Sequence, residues 1–215
     1  MTTIWGTGTP RTFRPLWVAE ELELAYTHRG IESRTGETQT AEYQALNPKQ
    51  KIPCLVDDRL TLTESVAISR YLIRRHGGAD RTLSAPQTTE ACAREDEWVA
   101  HVYGELDETA LYVLRRHEDL KAIYGSAPAA VTTARAHVTR QLDLIAARVD
   151  SRRFLVDGGL SLADVMLMSC LDWAHFYDFE LPQPLATYRA GLAERSAYQR
   201  AFARNYPQLI SQQEA

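Results

Sequence analysis

The sequence of 215 residues predicts an α/β plus all-α protein, a small α/β domain followed by an all-helical domain. In the first third, short β-branched and aromatic segments alternate with amphipathic ones, in the order strand, helix, strand, helix, hairpin, helix. The stretch Gly77–Thr89 is rich in Gly, Pro, Ser and Thr and lacks apolar periodicity, which indicates a break. Beyond it, apolar residues recur at helical spacing. We therefore expect a first domain at 1–78, a linker at 79–88 and a helical domain at 89–215.

The elements of the first domain are predicted from local patterns. In order they are a strand at Thr3–Trp5, a helix carrying Phe13, Leu16 and Trp17, a strand at Tyr26–Arg29, a hairpin of Ile52–Asp57 and Arg59–Leu62, and a helix through Ala67, Ile68, Tyr71 and Leu72. The last helix is expected to stop at Gly77 because glycine is a frequent helix terminator.

In the helical domain, two apolar stripes and one fully apolar segment predict the core. The stripes are Val99, Val102, Leu106, Ala110 and Val113, and Val131, Ala134, Val138, Leu142, Ile145 and Val149. The segment Met166–Ala174 is apolar on nearly all sides, which is typical of a buried central helix.

Composition excludes several function classes. A net charge of −4 disfavours nucleic acid as a partner, because phosphate neutralisation needs a concentrated basic face. No apolar run approaches the roughly 20 residues of a membrane span, and no secretory signal is recognised. The three cysteines, Cys54, Cys92 and Cys170, form no CxxC motif, and the six histidines show no metal-ligand spacing. We expect a cytoplasmic protein without a metal, a nucleic-acid partner or a membrane partner.

The loop Gly6–Thr9 resembles a phosphate-binding loop but lacks its requirements. A dinucleotide fingerprint needs a small residue where this chain has Arg11, whose long side chain would keep the helix away from the strand. Two interpretations remain. Thr9 or Thr12 caps the first helix, or a hydroxyl in this loop donates a hydrogen bond to a bound anion beside the helix N-terminus.

The segments Asn47–Leu55 and Leu62–Ile68 carry a more specific pattern. A cis bond before Pro53 would turn the main-chain groups of Ile52 outward, where an extended peptide can pair with them. Glu64 and Ser65 open the next helix. The Ser65 amide and hydroxyl suit a carboxylate and Glu64 suits an ammonium, although the same residues are also expected of a plain helix cap.

With these motifs the chain resembles the glutathione S-transferase family over essentially its whole length. The motifs are NPxxKIPxL, LTESxAI, the glycine-rich break, and Ser161-Leu162-Ala163-Asp164 in the helical half. The loop resembles the bacterial-type members with serine or threonine there. The resemblance implies a thioredoxin-like first domain, a helical second domain and a homodimer. Ser161 and Asp164 also form a capping-box pattern, which predicts a folding role at the start of the buried helix.

The resemblance also implies a set of site residues. Glu64 and Ser65 match the motif that binds the γ-glutamyl end of glutathione, Ile52 beside cis Pro53 matches the residue that pairs with the cysteinyl part, and Lys51 falls near the glycyl carboxylate. For the thiol-activating hydroxyl, Pro10 stands where the most similar pattern has serine. The expected catalytic residue is therefore Thr9, with Thr7 or Thr12 as substitutes and Arg11 as an electrostatic helper.

The implied activity is attack of the glutathione thiolate on a small hydrophobic electrophile, with glutathione as co-substrate. The electrophile is expected in an apolar pocket between the domains, where His101, Tyr103 and Tyr112 are candidate contacts that are as readily explained as packed side chains. Two alternatives stay open: a glutathione-dependent isomerase or reductive enzyme for one metabolite, and a non-catalytic glutathione-binding module.

Overall fold

The computed structural model describes residues 1–78, 82–83, 85–149 and 153–211. These residues form two compact units, one of Met1–Ala85 with Ala193–Ala215 and the other of Pro86–Leu192. Positions 79–81 and 84 of the predicted linker lie outside the described residues. The grouping of the last segment with the first unit has no counterpart in the sequence analysis.

The first unit follows the predicted order of elements. They are β1 (Thr2–Trp5), α1 (Pro10–Glu21), β2 (Tyr26–Arg29), a 3₁₀ turn (Glu37–Gln39), α2 (Ala41–Leu46), β3 (Cys54–Val56), β4 (Thr61–Thr63) and α3 (Ser65–His76). The hairpin strands are shorter than predicted, because Ile52 and Pro53 precede the ladder and Asp57–Leu60 form the turn between its strands.

The four strands form one mixed sheet in the order β2-β1-β3-β4. The β1–β2 pair is parallel, as expected when a helix such as α1 connects two strands, and the β1–β3 and β3–β4 pairs are antiparallel. A four-stranded sheet with helices in this order, followed by a helical region, confirms the predicted fold class.

Helix α1 is the most buried element of the first unit. Its first residue is Pro10, whose missing N–H is no loss at a helix start, and the Thr9 side chain caps it. Phe13, Leu16 and Trp17 are almost completely buried. Because α1 is surrounded by protein, even its two glutamates near the C-terminal end, Glu20 and Glu21, are less than a tenth exposed.

These two buried carboxylates bind arginines that are distant in sequence. Arg195 donates from Nε and Nη2 to Glu21 at 2.6 and 2.8 Å, and Arg200 and Arg204 bind Glu20 at 2.7 and 2.9 Å. The three arginines belong to α10 (Ser196–Asn205) or to its N-cap. A carboxylate out of water needs such charge-assisted partners, so α10 completes the environment of α1.

Aromatic rings strengthen the same packing. The Phe13 ring lies 5.3 Å from the Tyr198 ring and 6.2 Å from the Phe202 ring, both in edge-to-face geometry. Trp17 meets Tyr198 edge-on at 5.3 Å. Such pairs add about 0.5–1.5 kcal/mol beyond their buried area, which makes the α1–α10 packing a firm base for the loop before α1.

The second unit is helical. Its elements are α4 (Thr89–His101), π-helical turns (Val102–Leu111), α5 (Tyr112–Leu114), a second π-helical stretch (Arg115–Asp119), α6 (Lys121–Tyr124), α7 (Pro128–Val149), α8 (Leu162–Phe176) and most of α9 (Gln183–Ala193); α10 and α11 (Pro207–Ser211) follow in the first unit. No helix among the described residues combines the length and apolar character that a membrane span requires.

Most of the predicted core of this unit is confirmed, since Val102, Leu106 and Ala110 are fully buried and α8 is buried from Leu162 to Ala174. At the ends of the two stripes, Val113 and Val131 are only half-buried. The capping box at Ser161 and Asp164 is also confirmed. The π-helical turns were not predicted. An apolar residue every third or fourth position is compatible with either helix type, so the stripe does not reveal the local change in winding.

Candidate active site

The glycine loop after β1 is shaped by close contacts. Gly6 has a φ of +117° and Gly8 a φ of +74°, which glycine adopts without a steric cost. A Cβ on Gly6 would lie 2.6 Å from Thr12 Cγ2 and 2.7 Å from Ile52 Cβ. Only a glycine therefore allows the loop, α1 and the segment before β3 to meet at this point.

Thr9 and Thr12 form a reciprocal capping box at the start of α1. Thr9 Oγ1 accepts from the Thr12 N–H at 3.1 Å, and the Thr9 N–H donates to Thr12 Oγ1 at 3.1 Å. Thr12 is fully buried, whereas Thr9 is half-buried. The helix-cap interpretation is thus correct for Thr9, whose side chain stays partly accessible to solvent.

The hydroxyls of Thr7 and Thr12 are both hydrogen-bonded to other parts of the protein. Thr7 is buried and its hydroxyl lies 3.2 and 3.0 Å from the carbonyl oxygens of Arg204 and Asn205. The Thr12 hydroxyl lies 2.7 Å from Asn205 Oδ1. These contacts hold the loop in place, so we do not retain Thr7 or Thr12 as candidates for activating a thiol. Arg11, the second residue of α1, is half-buried.

His28 supports the loop from the neighbouring strand. Its Nε2 lies 3.0 Å from the carbonyl oxygen of Gly6, so this nitrogen is the N–H donor. Burial lowers the pKa of His28 below its usual value of 6.5, and the nearby positive charge of Arg204 acts in the same direction. No sequence pattern distinguishes this histidine, which lies at an ordinary position of β2.

The Ile52–Pro53 peptide bond is cis. Pro53 is buried and Ile52 half-buried, and within the described part of the chain no main-chain hydrogen bond is made by the Ile52 N–H or C=O. The segment is fixed by the preceding carbonyl of Lys51, which accepts from Tyr43 Oη at 2.7 Å and Asn47 Nδ2 at 2.6 Å. Lys51 is exposed, so the segment offers main-chain groups and a cation to a ligand.

Glu64 and Ser65 begin α3 as predicted. Glu64 precedes the helix with a φ of +72°, a conformation that is rare outside glycine and often marks a functional position. Its side chain is 63% exposed and pairs with Lys49, which also donates to Thr63 Oγ1 at 2.6 Å. Because an exposed ion pair contributes about 0–1 kcal/mol, a ligand ammonium can replace Lys49 at Glu64.

Ser65 is buried at the first position of α3, next to a residue that sequence reasoning missed. Arg14 in α1 is fully buried, and its Nη1 donates to Ser65 Oγ at 3.3 Å. The combination places a guanidinium beside the positive end of a helix dipole, which suits an anionic group. The only sequence signal was a charged residue within the apolar run around Phe13 and Trp17.

Cys54, the first residue of β3, is fully buried. Burial raises the pKa of its thiol to about 11, with a smaller opposing influence from the Lys49 charge. A thiol in this state is a poor nucleophile, so Cys54 is a packed core residue.

The three predicted electrophile contacts lie in the second unit, where each has an ordinary environment. His101 is half-buried, stacks parallel to Trp98 and lies 2.8 Å from Gln141 Oε1 through Nε2. Tyr103 approaches Glu108 Oε1 at 3.4 Å, and Tyr112 is half-buried at the start of α5. Their role in binding an electrophile stays a prediction. Over the residues that the structure describes, no group of three or more potential ligands could hold a metal ion.

Comparison with protein families identifies both halves of the chain. Residues 2–74 match the model of the glutathione S-transferase N-terminal domain, and residues 128–203 match that of the glutathione S-transferase C-terminal domain. The first match contains the loop, the cis proline and Glu64–Ser65. The second contains the capping box and most of α10.

Individual relatives agree with this result. The chain is 30% identical to glutathione S-transferase theta-1 of Bos taurus over 154 residues, or 70% of this chain and 63% of that protein. It is 28% identical to glutathione S-transferase GstA of Escherichia coli O157:H7, over 75% of this chain and 77% of that one. The alignment thus spans less than two thirds of the theta-1 relative.

Among solved structures, a theta-class glutathione S-transferase from Xanthomonas axonopodis pv. citri, determined with glutathione bound, superposes with a TM-score of 0.78. It is 29% identical, and the superposition covers 93% of this chain and 96% of that one. Together with the two domain matches, these likenesses show that the chain belongs to the glutathione S-transferase family.

Proposed function

We propose that this chain is a transferase that binds glutathione and activates its thiol for attack on a small hydrophobic electrophile. The observation that carries the proposal is the half-buried hydroxyl of Thr9, which caps the N-terminus of α1. Family membership and the glutathione found in the Xanthomonas relative supply the ligand.

The γ-glutamyl end of glutathione is assigned to the start of α3. Its carboxylate accepts from the Ser65 N–H and hydroxyl, with the buried guanidinium of Arg14 behind them. Its ammonium pairs with Glu64 in place of Lys49. The α-amino and α-carboxylate groups of an amino acid therefore meet opposite charges at adjacent residues.

The remainder of the tripeptide is assigned to the segment before β3. The cysteinyl part pairs with the N–H and C=O of Ile52, beside Pro53, because these groups have no described main-chain partner. The exposed ammonium of Lys51 is assigned to the glycyl carboxylate. Gly6 lies against Ile52, so a cysteinyl side chain bound here starts next to the glycine loop.

Thr9 then acts on the sulfur. A free thiol of this kind has a pKa of roughly 8.5, so only a few per cent is thiolate at neutral pH. A hydrogen bond from the Thr9 hydroxyl, the positive end of the α1 dipole and the charge of Arg11 all favour the thiolate. Its lone pair forms the carbon–sulfur bond, and the displaced electron pair leaves with the leaving group or moves into the electrophile.

The test is an ultraviolet titration of the thiolate in the glutathione complex. We expect the bound thiol to titrate at least about one pH unit below free glutathione, which corresponds to about 1.4 kcal/mol of preference for the thiolate. Thr9→Ala should remove most of this shift and lower turnover, whereas Thr9→Ser, which keeps both hydroxyl and cap, should retain it. Binding with an unshifted thiol would contradict the proposal and indicate a binding module. No binding at all would refute the glutathione site itself.

A panel of electrophiles separates the enzyme classes that the site permits. Conjugation of several chemically unrelated electrophiles supports a broad transferase with a role in detoxification. Turnover confined to one substrate, with glutathione regenerated or oxidised, would instead support an isomerase or reductive enzyme on the same scaffold.

We also propose a homodimer that works in the cytoplasm. The dimer is supported by family membership and is tested by light scattering coupled to gel filtration. The location is supported by the three cysteines, Cys54, Cys92 and Cys170, which form no disulfide among the described residues, as suits a reducing compartment where glutathione is kept reduced. Fractionation of the source cells tests it.

A further inference from the structure

We propose that Asn205, the last residue of α10, is a positioning residue that sets the direction of the Thr9 hydroxyl. The inference rests on the proposed function, since Thr9 is the hydroxyl assigned to the glutathione sulfur. It goes beyond that function by placing a requirement for thiol activation in a helix nearly two hundred residues away in sequence.

Asn205 binds the glycine loop at several consecutive points. Its main-chain carbonyl accepts from the Gly8 N–H at 2.8 Å and lies 3.0 Å from the Thr7 hydroxyl. Its side-chain Nδ2 donates to the carbonyl oxygen of Thr9 at 3.0 Å, and its Oδ1 accepts from the Thr12 hydroxyl at 2.7 Å. The Asn205 side chain is thus hydrogen-bonded to both residues of the capping box, Thr9 and Thr12.

The surroundings fix the orientation of the carboxamide. Asn205 is fully buried, so each of its polar atoms must be matched by a protein partner. The atom that faces the Thr9 carbonyl must be the NH₂ group, because a carbonyl oxygen can only accept. The oxygen is then left for Thr12, whose hydroxyl is the donor.

The hydroxyl protons of Thr12 and Thr9 have different acceptors. The Thr12 hydroxyl has one proton and two acceptors within reach, Asn205 Oδ1 at 2.7 Å and the Thr9 carbonyl oxygen at 2.8 Å. Because the Thr9 carbonyl also accepts from Asn205 Nδ2, we assign the Thr12 proton to the Asn205 oxygen. Thr12 Oγ1 then has lone pairs for the Thr9 N–H at 3.1 Å and the Thr9 hydroxyl at 2.9 Å. The Thr9 oxygen accepts from the Thr12 N–H, so the Thr9 proton is the one that can turn from Thr12 toward a ligand.

The helix that carries Asn205 is itself held firmly. Arg195 binds the buried carboxylate of Glu21 in α1 through two nitrogens, at 2.6 and 2.8 Å. The carboxamide therefore has a fixed position relative to the helix that Thr9 caps. A hydroxyl held in this way meets the sulfur without reorganisation, the condition under which a positioned donor is most effective.

The test compares variants by the pKa of the bound glutathione thiol and by the separate values of kcat and KM. In Asn205→Ala we expect the thiol pKa to rise by about one unit and kcat near neutral pH to fall about tenfold. The KM for glutathione should change by less than about threefold, since Glu64, Ser65 and Ile52 are untouched. Asn205→Asp, which keeps the size and the acceptor for Thr12 but loses the donor to Thr9, should also raise the thiol pKa and serves if the alanine variant does not fold.

Two control variants separate an effect on the position of the Thr9 hydroxyl from a general loss of stability in α10. Gln199→Ala changes an exposed amide on the same helix and should leave the thiol pKa and kcat as in the wild type. Arg200→Ala removes an ion pair of α10 without touching the loop, so it should lower the unfolding midpoint and leave the thiol pKa unchanged. An equal rise of the thiol pKa in Arg200→Ala and Asn205→Ala would overturn the inference, because the effect would then follow the stability of the helix.

The pKa of the bound thiol in the wild-type protein shows whether a negative result counts against the proposed function or against the role of Asn205 alone. An unshifted thiol in the wild-type complex refutes the proposed function. A shifted thiol in the wild type that stays shifted in both Asn205 variants refutes the positioning role alone.

Discussion

Replacing Asp164 by alanine should be among the most destabilising single changes in the second unit. Asp164 is fully buried at the start of α8. Its Oδ1 accepts from the Leu155 N–H at 2.8 Å and the Tyr188 hydroxyl at 2.5 Å, and its Oδ2 accepts from the Ser161 N–H and hydroxyl at 2.8 and 2.5 Å. One carboxylate therefore joins α8 to the loop before it and to α9.

The structure gives the expected size of the loss. Asp164→Ala leaves four donors without their acceptor, the N–H groups of Leu155 and Ser161 and the hydroxyls of Ser161 and Tyr188. At about 1 kcal/mol each, which includes the weakened cap at Ser161, the sum is about 4 kcal/mol. Burial of the charge opposes this and raises the pKa of Asp164, so the variant regains roughly 1 kcal/mol. We expect a net loss of about 3 kcal/mol.

The assay is urea unfolding followed by tryptophan fluorescence and circular dichroism. Ser161→Ala should lose about 1 kcal/mol, as other cap removals do, and Asp143→Ala, an exposed carboxylate on α7, should stay within about 0.5 kcal/mol of the wild type. If Asp164→Ala unfolds within about 1 kcal/mol of the Asp143 variant, the reasoning about buried acceptors is refuted.

Two further predictions concern titratable groups. The pKa of His28 is lower in the folded protein than in the unfolded chain, so the unfolded chain binds the proton more readily. The free energy of unfolding should therefore be highest above about pH 6.5 and should decrease as the pH falls below that value. His28→Gln should make urea midpoints between about pH 7.5 and 5 less dependent on pH, and an unchanged slope would rule this out. Thiol reagents should label Cys92 in the native protein, while Cys54 and Cys170, both buried, should react only after unfolding. Mass spectrometry identifies the labelled residue, and native labelling of Cys54 would show that its thiol is accessible after all.

Sequence patterns predicted the parts of the molecule that depend on near neighbours. The succession of strands and helices along the first unit, the helix after Leu62–Thr63 and the Ser161 capping box each follow from residues within a few positions of one another. The motifs around Pro53 and Glu64 are also local, and they placed both residues in the first unit. The structure adds that Ile52 lies against Gly6.

The residues that sequence reasoning missed either contact the site from a distant part of the chain or are charged residues that the fold buries. Asn205 and Arg200 look like ordinary polar residues of a surface helix, and nothing local shows that they meet Thr9 and Glu20. Arg14 was missed because a charged residue in an apolar helix is normally assigned to the solvent side. Only the assembled unit shows that this helix has no solvent side at that position.

The pairing of α1 with α10 also has a consequence for synthesis. Glu20 and Glu21 are translated 180 and 174 residues before the arginines that bind them. Until then, Phe13 and Trp17 lack the rings of α10, and the two carboxylates lack the arginines that neutralise them. The first unit to leave the ribosome is therefore the last to complete its core, and the glycine loop acquires its final shape only when α10 arrives.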